Sequence, residues 1–399
     1  MKRLVQVNVT AGRGSTGVIA DEIGAMAVER GWESWIAYGR EPHRESASKL
    51  IRIGSDFDMR MHGLESRLLD NHGLASRAAT RRFVRQLDEI KPDVVHLHNI
   101  HGYYLNYPIL FRWLKEWGGP VVWTLHDCWP FTGHCAHFMF DGCEKWRSEC
   151  KDCSLKASYP ASLLADNSRR NFNRKKTSFL SVGSQLRLVA CSDCVADYTR
   201  MSFFKDVDVR RLHNGVDLRI FRPSDNRDKK KRIIGVASVW SKAKGLDDFV
   251  KLRSLLSADY EIVLVGLTAA QRASLPSGIT GIERTADRNE LAKLYAEAAV
   301  FVNPTYEDNF PTVNIEALAC GTPVVTYRTG GSPEAVDEKT GVVVEQGDIA
   351  GLIDAIERAR GLSPDECRKR AEERFDKNDR YADYIALYER LLINNSIEL

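Results

Sequence analysis

The chain has 399 residues, which exceeds one ordinary hydrophobic core and indicates two domains. Hydrophobic residues make up 43% and charged residues 28%, as in globular proteins, and a net charge of +3 is too small to require nucleic acid as a partner. No apolar run approaches the roughly 20 residues of a membrane-spanning helix. The N-terminal segment alternates apolar and polar residues, unlike a secretory signal, so we predict a cytoplasmic protein with reduced cysteines.

A strand is predicted at residues 4–9, and a glycine-containing loop at residues 12–17 and a helical pattern follow it. Strand, glycine loop and helix together are typical of phosphate binding in doubly wound sheets, which makes Gly14, Ser15 and Gly17 candidate ligand contacts. The loop lacks the acidic partner of a dinucleotide fingerprint, and a tight turn without a ligand explains the same residues equally well.

Residues 35–38 are predicted to form a second strand, and residues 55–90 look helical. Four arginines in this stretch share roughly one helix face. They are Arg77, Arg81, Arg82 and Arg85. Two interpretations stay open: a solvated face, or contact with an anionic lipid-linked substrate or membrane surface.

Polar side chains follow two short apolar strands, at residues 93–98 and 121–127. Ligands of open parallel sheets bind beyond the carboxyl ends of the strands. We therefore expect the polar residues there to face a binding crevice. They are His98, His101, His126 and Asp127.

A cysteine-rich loop occupies residues 128–155. Its four thiols are those of Cys135, Cys143, Cys150 and Cys153. Four thiols so close in sequence suit a tetrahedral structural zinc ion, with His134 or His137 as a substitute for one of them. Reduced cysteines without metal, or a disulfide pair in an oxidising preparation, remain alternatives.

The next segments lead to a domain boundary. The basic run at residues 169–176 is not interpreted as a nucleic-acid site, because no recognisable binding module surrounds it. A strand with a polar end is predicted at residues 188–192 and a turn at residues 214–215, and the charged segment 225–232 separates the domains. Strands and helices alternate in both halves, so the predicted class is α/β, with two parallel-sheet domains and a cleft between them.

Residues 306–325 carry two acids, Asp308 and Glu316, and a predicted helix over Thr312–Ala319 that ends at Gly321 in positive φ. A loop that leads into a helix N-terminus directs backbone N–H groups at an anion. A carboxylate one turn into the helix accepts hydrogen bonds from sugar hydroxyls. The pattern predicts a nucleotide site.

Several motifs now coincide and cover essentially the whole chain. The chain resembles the retaining nucleotide-sugar glycosyltransferases of family four, which have the GT-B fold. The resemblance is carried by segment 304–325, by Lys244 with Gly245, by residues 214–217, and by two glycines before Glu334. The loop from Trp129 to Cys135 resembles the bacterial exopolysaccharide and colanic-acid-type members.

The resemblance implies two Rossmann-like domains facing a central cleft. Residues 1–224 would form the acceptor-binding domain, residues 225–375 the nucleotide-sugar-binding domain, and residues 376–399 a helix that returns to the first domain.

The resemblance also implies residue roles. Glu316 would bind ribose hydroxyls and Asp308 the donor sugar, while Lys244 would contact the diphosphate and His126 the donor sugar. Loop 12–17 would approach the same diphosphate. Four residues of the 306–325 stretch would present backbone donors. They are Asn309, Phe310, Thr312 and Val313.

The chain departs from the family pattern at three positions. Asp308 replaces the first of two glutamates, Pro311 replaces a glycine, and Ser238 stands where an arginine is usual. Proline has no N–H, so one backbone donor is lost. Lys242 is the nearest replacement for the arginine.

The implied reaction is transfer of a hexosyl group from a UDP- or GDP-linked sugar to a hydroxyl of a glycan in surface polysaccharide biosynthesis. By analogy with the group, we expect this glycan acceptor to be lipid-linked. The configuration is retained and no catalytic metal is expected, and the enzyme would work at the inner face of the cytoplasmic membrane. Alternatives are a nucleotide-sugar epimerase, a glycan phosphorylase or a catalytically weak nucleotide-sugar-binding protein.

Overall fold

A computed structural model describes residues 1–40, 45–224 and 230–397 of the chain. Two compact units are present. The first comprises Met1–Leu212 and the C-terminal segment from Tyr381 onward, and the second comprises His213–Arg380. The charged segment proposed as the domain boundary lies partly outside the described residues, at 225–229.

The first unit is a seven-stranded parallel sheet with helices between the strands. Its strands are β1 (Arg3–Asn8), β2 (Glu33–Tyr38), β3 (Lys49–Arg52), β4 (Val94–Leu97), β5 (Val121–Leu125), β6 (Leu186–Ala190) and β7 (Val209–Arg211). Its helices are α1 (Gly14–Glu29), α2 (Asp56–Leu69), α3 (Arg77–Ile90), α4 (Tyr107–Trp117), α5 (Ser168–Leu180) and α6 (Asp193–Met201). The strand order is β3-β2-β1-β4-β5-β6-β7.

The central strands of this sheet are buried on both faces. All four residues of β4 and all five of β5 are buried, as expected for parallel strands that helices cover on both sides. Strand β1 pairs with β2 on one side and β4 on the other, so the strand order reverses between β1 and β4. A ligand crevice is expected beyond the carboxyl ends of the strands at such a switch point.

The last helix contributes to the core of the first unit. Its residues from Tyr381 to Leu391 pack against Leu4, Ile23 and Val122. Two of its tyrosine hydroxyls reach polar groups of the sheet, since Tyr388 Oη lies 2.6 Å from His96 Nδ1 and Tyr384 Oη lies 3.1 Å from Thr124 Oγ1. These buried hydrogen bonds specify the docked position of the helix.

The second unit is a six-stranded parallel sheet. Its strands are β8 (Lys230–Val236), β9 (Glu261–Val265), β10 (Ile279–Ile282), β11 (Ala298–Asn303), β12 (Val324–Tyr327) and β13 (Gly341–Val344). Its helices are α7 (Leu246–Leu255), α8 (Ala269–Ala273), α9 (Arg288–Glu297), α10 (Thr312–Ala319), α11 (Ile349–Ala359) and α12 (Pro364–Phe375), and α13 (Lys377–Ile397) begins here. The strand order is β10-β9-β8-β11-β12-β13, which reverses between β8 and β11.

The predicted α/β class is confirmed, and the structure corrects three local expectations. The helical stretch 55–90 is two helices, because Asp70 and Ser76 both adopt positive φ between α2 and α3. Strands β3 and β7 were not predicted, since both are short and partly exposed. The basic run at 169–176 lies on α5, where the Lys175 ammonium is buried and donates to two backbone carbonyls.

No helix in the described part of the chain combines the length and the apolar character needed to cross a bilayer.

Candidate functional site

The switch point of the second sheet brings two predicted site residues together. Lys244 follows β8 in a short 3-10 turn, Lys242–Lys244, and Asp308 follows β11. The Lys244 ammonium donates to Asp308 Oδ2 at 2.7 Å and to the Glu307 carbonyl oxygen at 2.7 Å. Because an ammonium has three N–H donors, one remains for a further anionic partner.

Gly245 permits this arrangement. It adopts φ +74°, and a Cβ atom there would lie 2.1 Å from the Pro304 carbonyl oxygen. The loop after β8 can approach the loop after β11 only if this position carries no side chain.

Gly245→Ala is therefore expected to destabilise the second unit by more than about 2 kcal/mol, the sum of left-handed strain and a backbone clash. Urea unfolding would measure the effect. Gly31→Ala is the control, because Gly31 also has positive φ (+81°) but a Cβ there would meet nothing within 4 Å. Equal losses in the two variants would show that the close approach to Pro304 is unimportant.

Helix α10 begins directly after the loop that carries Asp308. Pro311 is its N-cap residue, and the side chain of Pro311 makes no capping hydrogen bond. The first N–H groups of a helix have no intrahelical partner and attract anions. Thr312 and Val313, whose N–H groups lie there, are half-buried. The predicted end of the helix is confirmed, since Gly321 has φ +68°.

Asn309 and Phe310 shape the entrance to α10. Both side chains are buried, each about 4% exposed. The Phe310 ring stacks on the His213 ring with centroids 4.5 Å apart, and His213 Nε2 lies 2.9 Å from a carboxylate oxygen of Glu334. Packing of Phe310 thus holds the loop in place. The next residue is Pro311, where the family pattern has a more flexible glycine.

Glu316 lies one turn into α10 and is half-buried. Burial raises the pKa of its carboxyl, while the Arg288 charge and a hydrogen bond from Tyr295 oppose the rise. That bond is long, with the Tyr295 hydroxyl 3.3 Å from Glu316 Oε2. A carboxylate that is desolvated and weakly partnered has free acceptor capacity for ligand hydroxyls.

Two positions of the loop after β8 are exposed. Lys242 and Ser238 both lie at the surface of the second unit. Ser238 offers no charge in place of the family's arginine.

In the first unit, loop 12–17 closes on itself beyond β1. The Gly12 N–H donates to the Gly17 carbonyl at 2.9 Å, and a Cβ atom on Gly17 would lie 2.5 Å from Thr10 Oγ1. Gly14 and Ser15 are exposed at the start of α1, and the side chain of its N-cap residue, Arg13, makes no capping hydrogen bond. The loop and helix end therefore have the form of an anion-binding turn.

The histidines after β4 and β5 do not all face a crevice, which corrects the expectation. His98 is 1% exposed and lies between Gln6 Oε1 at 3.1 Å and His126 Nε2 at 3.0 Å. His126 itself is half-buried. Burial lowers the pKa of His126 to about 4, although Asp127 opposes this, so the imidazole is neutral at pH 7.

His101 and Asp127 form a second buried pair. His101 Nε2 lies 2.7 Å from Asp127 Oδ2, and its Nδ1 lies 3.0 Å from the Tyr159 hydroxyl. Burial disfavours the charged carboxylate, but His101, His137 and the Trp129 N–H together outweigh burial and lower the pKa of Asp127 to about 2. Both side chains have partners inside the unit and position the loop after β5.

The four cysteines of the cysteine-rich loop are close enough to influence one another's ionisation, and none is in a disulfide. Backbone N–H groups of Gly133 and Leu155 donate to the sulfurs of Cys150 and Cys153. Within the described part of the chain, however, no three of these sulfurs lie within 4.8 Å of one another. The thiols are gathered but not in tetrahedral contact.

Three residues around the second-unit site were missed in the sequence. Arg288 and Tyr295 are seven residues apart on α9, a spacing that puts them on one helix face, and both act on Glu316. Asp248 is 3% exposed and accepts from the hydroxyls of Tyr306 at 2.7 Å and Tyr327 at 2.9 Å. The helical spacing on α9 was the one available signal.

Family models match both halves of the chain. The model described as Glycosyltransferase Family 4 matches residues 16–220, and the model described as Glycosyl transferases group 1 matches residues 230–360. The first match alone spans more than half of the chain. The chain belongs to glycosyltransferase family 4, has the GT-B fold, and is a glycosyltransferase.

Two curated relatives show the extent of the similarity. A protein named "Putative colanic acid biosynthesis glycosyl transferase WcaC" from Escherichia coli (strain K12) is 24% identical over 375 residues, with 88% of this chain and 89% of that protein covered. A D-inositol 3-phosphate glycosyltransferase of Paenarthrobacter aurescens (strain TC1) is 31% identical over 302 residues, covering 69% and 67%.

Solved structures support the fold. A sucrose-phosphate synthase from Thermosynechococcus elongatus superposes with a TM-score of 0.71 at 17% identity, covering 99% of this chain and 100% of that one. HepE of Anabaena in complex with UDP-glucose gives a TM-score of 0.64 at 14% identity, covering 97% and 100%. At these identities the likeness shows the fold alone.

Proposed function

We propose that this glycosyltransferase moves a hexosyl group from a nucleoside-diphosphate sugar to a hydroxyl of a glycan acceptor, with retention of configuration and without a catalytic metal. One observation carries the proposal. The Lys244–Asp308 ion pair lies at the switch point of the second sheet, and the same loop leads into the N-terminus of α10, with Glu316 one turn further.

Each part of a nucleotide sugar has a chemically suited partner there. The remaining N–H donor of Lys244 and the N-terminus of α10 suit the diphosphate, because both favour negative charge. Glu316 suits the ribose, because a carboxylate accepts two hydroxyl hydrogen bonds at once. Asp308 is shorter than glutamate by one methylene and is proposed to contact the donor sugar directly or through water.

The proposed reaction needs no covalent enzyme intermediate. The bond between the anomeric carbon and the diphosphate oxygen breaks, and the acceptor oxygen bonds to the same face of that carbon. The acceptor proton passes to the departing diphosphate. Lys244 stabilises the charge that develops on this leaving group, and the surrounding residues hold the reactants in position.

The first unit is proposed to bind the acceptor and, through loop 12–17 and His126, to contribute to donor binding. Its half-buried His126 is neutral at pH 7 and therefore suits a hydrogen bond to a sugar hydroxyl rather than to phosphate. A role in surface polysaccharide synthesis is proposed from the colanic acid biosynthesis in the name of the Escherichia coli relative. A lipid-linked acceptor is proposed by analogy with this group of glycosyltransferases. The donor is proposed to be a UDP- or GDP-linked sugar, and HepE, which shares the fold, is solved with UDP-glucose.

The donor is identified by thermal shift with UDP, GDP and their sugars, followed by turnover with each stabilising donor. We expect the release of nucleoside diphosphate. NMR of the acceptor product should show the anomeric configuration of the donor sugar, and EDTA should leave the rate unchanged. Inversion of configuration, or loss of turnover in EDTA while the protein stays folded, would contradict the corresponding part of the proposal.

The same assay separates the alternatives. An epimerase would convert the donor sugar without acceptor, and a phosphorylase would require inorganic phosphate. A binding protein without activity would be stabilised by the donor and would release no diphosphate.

The cysteine-rich loop is proposed to hold a structural zinc ion. Its four thiols are gathered and reduced, and backbone N–H groups of Gly133 and Leu155 donate to the sulfurs of Cys150 and Cys153. Burial raises the pKa of these two thiols to about 11, so metal binding would have to displace their protons, and a small inward movement of the loop would be needed to close the set. Protein purified without chelator should contain one equivalent of zinc by elemental analysis. A Cys150→Ser/Cys153→Ser variant should lose the metal and melt at lower temperature, whereas Cys194→Ser, outside the cluster, should keep it. Metal-free wild-type protein that melts at the same temperature after zinc addition would refute this proposal.

A further inference from the structure

Helix α2 presents its apolar side to solvent. Phe57, Met61, Leu64 and Leu68 follow one another at helical spacing and are 70%, 47%, 49% and 37% exposed. The buried residues of the helix are instead His62 and Ser66. A surface helix normally buries its apolar stripe, so this orientation needs an explanation outside the chain.

A neighbouring loop extends the stripe. The Leu163 N–H donates to the Arg67 carbonyl at 2.7 Å and the Ala165 N–H to the Leu68 carbonyl at 3.3 Å, so this segment runs beside the end of α2. Leu163 and Leu164 are 65% and 71% exposed. With Leu69, the α2 patch comprises seven large apolar side chains. They are Phe57, Met61, Leu64, Leu68, Leu69, Leu163 and Leu164.

The patch is concentrated and not a sample of the general surface. In the described part of the chain, sixteen large apolar side chains are exposed, and the α2 patch holds seven of them. Scattered single apolar residues are normal on protein surfaces, but a contiguous group marks an interaction site.

Arginines border the patch. A cavity of about 590 Å³ opens beside α2, and its lining includes Arg40, Arg60 and Arg67 together with Tyr103. All three guanidinium groups belong to exposed residues. Arg67 and Arg40 lie close enough to Tyr103 to oppose the rise in its pKa that burial causes. The lining's carboxylate, Asp56, already pairs with Arg52 outside the cavity.

We propose that the α2 patch is a docking surface for an anionic phospholipid bilayer, with the apolar stripe inserted among the acyl chains and the three arginines on lipid phosphates. Charge complementarity favours this partner. The apolar stripe matches the hydrocarbon region of a membrane surface, and the arginines beside it match the layer of anionic phosphates. The contact is made by α2, and the arginines of α3 considered in the sequence are exposed but have no comparable apolar stripe beside them.

Vesicle co-sedimentation tests the assignment, with full-length protein and vesicles that contain no glycan acceptor. We expect the protein to bind phosphatidylcholine vesicles that contain phosphatidylglycerol. This binding should weaken in high salt and should be much weaker to vesicles without the anionic lipid. Phe57→Ser/Leu64→Ser and Arg60→Gln/Arg67→Gln should each weaken binding roughly tenfold or more, while both keep the wild-type melting temperature because the altered side chains are exposed.

Matched variants locate the surface. Val250→Ser/Leu255→Ser removes two exposed apolar side chains from α7, and Arg77→Gln/Arg81→Gln removes two exposed arginines from α3. Both controls should bind vesicles like the wild type. Equal loss in the α3 variant would overturn the assignment to α2.

Two further outcomes would also overturn the proposal. One is a wild-type dimer in light scattering that the Phe57→Ser/Leu64→Ser variant converts to monomer, with no vesicle binding. The other is binding only when a lipid-linked diphosphate acceptor is added. Glycosyl transfer to a water-soluble acceptor should be unchanged in the α2 variants, so failure of membrane docking and failure of the proposed reaction are distinguishable.

Discussion

Glu316→Ala is expected to lower kcat/KM by roughly 100-fold or more, because two charge-assisted hydrogen bonds to ribose hydroxyls are worth about 1.5–3 kcal/mol each. Steady-state kinetics with the donor found by thermal shift would measure the loss. The Kd for nucleoside diphosphate should rise in parallel, since the ribose belongs to donor and product alike.

The fold should tolerate this change. Burial raises the pKa of Glu316, so the ionised carboxylate costs free energy in the folded state at any pH above that raised pKa. Removing it should leave the melting temperature at pH 7 unchanged or slightly higher. A melting temperature several degrees lower would mean that lost activity reports unfolding and not a lost contact.

A pH profile gives an independent test of the same residue. Ribose binding requires the carboxylate, so wild-type kcat/KM should decline as pH falls through the raised pKa of Glu316, at higher pH than for an ordinary glutamate. Glu316→Gln should lack this acid limb while keeping an oxygen acceptor for Tyr295.

Glu307→Ala is the matched control for both experiments. Glu307 is one residue out of register with the family's acidic pair, and Lys244 contacts its backbone carbonyl, which alanine retains. A loss within about threefold is expected. If Glu307→Ala were as damaging as Glu316→Ala, the alignment of the acidic motif would be wrong.

The second large effect is expected at Lys244. Lys244→Met should lower kcat/KM by roughly 100- to 1,000-fold, the range found when one stabilising donor to a developing oxyanion is removed. Methionine preserves much of the apolar stem, so the lost ammonium dominates the effect. Titration calorimetry should show weaker binding of nucleoside diphosphate, with a much smaller change for nucleoside monophosphate.

Lys242→Met separates the two lysines of the same turn. Lys242 is exposed, so a loss below about tenfold is expected if it acts on the diphosphate only through solvent. A loss equal to that of Lys244→Met would show that Lys242 replaces the arginine absent at Ser238. If the Lys244→Met variant had the kinetic constants of the wild type, the proposal that Lys244 contacts the diphosphate would be wrong.

Local patterns predicted most of the second unit. The bounds of α10 and the positive φ of Gly321 were predicted from an apolar turn and one glycine, because helix propensity and helix termination are decided within a few residues. Lys244 and Asp308 were predicted from motif resemblance. Their ion pair depends on β8 and β11 being neighbours in the sheet, which local sequence does not encode.

The first unit was harder to predict. The polar ends of β4 and β5 predicted a binding crevice, but the pattern could not separate buried histidines from accessible ones. His98 and His101 find partners in Gln6 and Asp127, the first of them far away in the chain. Hydrogen-bond satisfaction inside a core depends on tertiary neighbours and leaves no periodic signal.

The sequence alone determined the α/β class and the family, and it predicted Lys244, Asp308 and Glu316 as site residues, since these depend on short-range patterns and spacings. The tertiary structure decided three other things: the pairing of Lys244 with Asp308, the weakly partnered burial of Glu316, and the outward orientation of the apolar side of α2. Each depends on which surfaces come together when distant segments pack. That outcome reflects the free energy of the whole fold and not the propensity of any one segment.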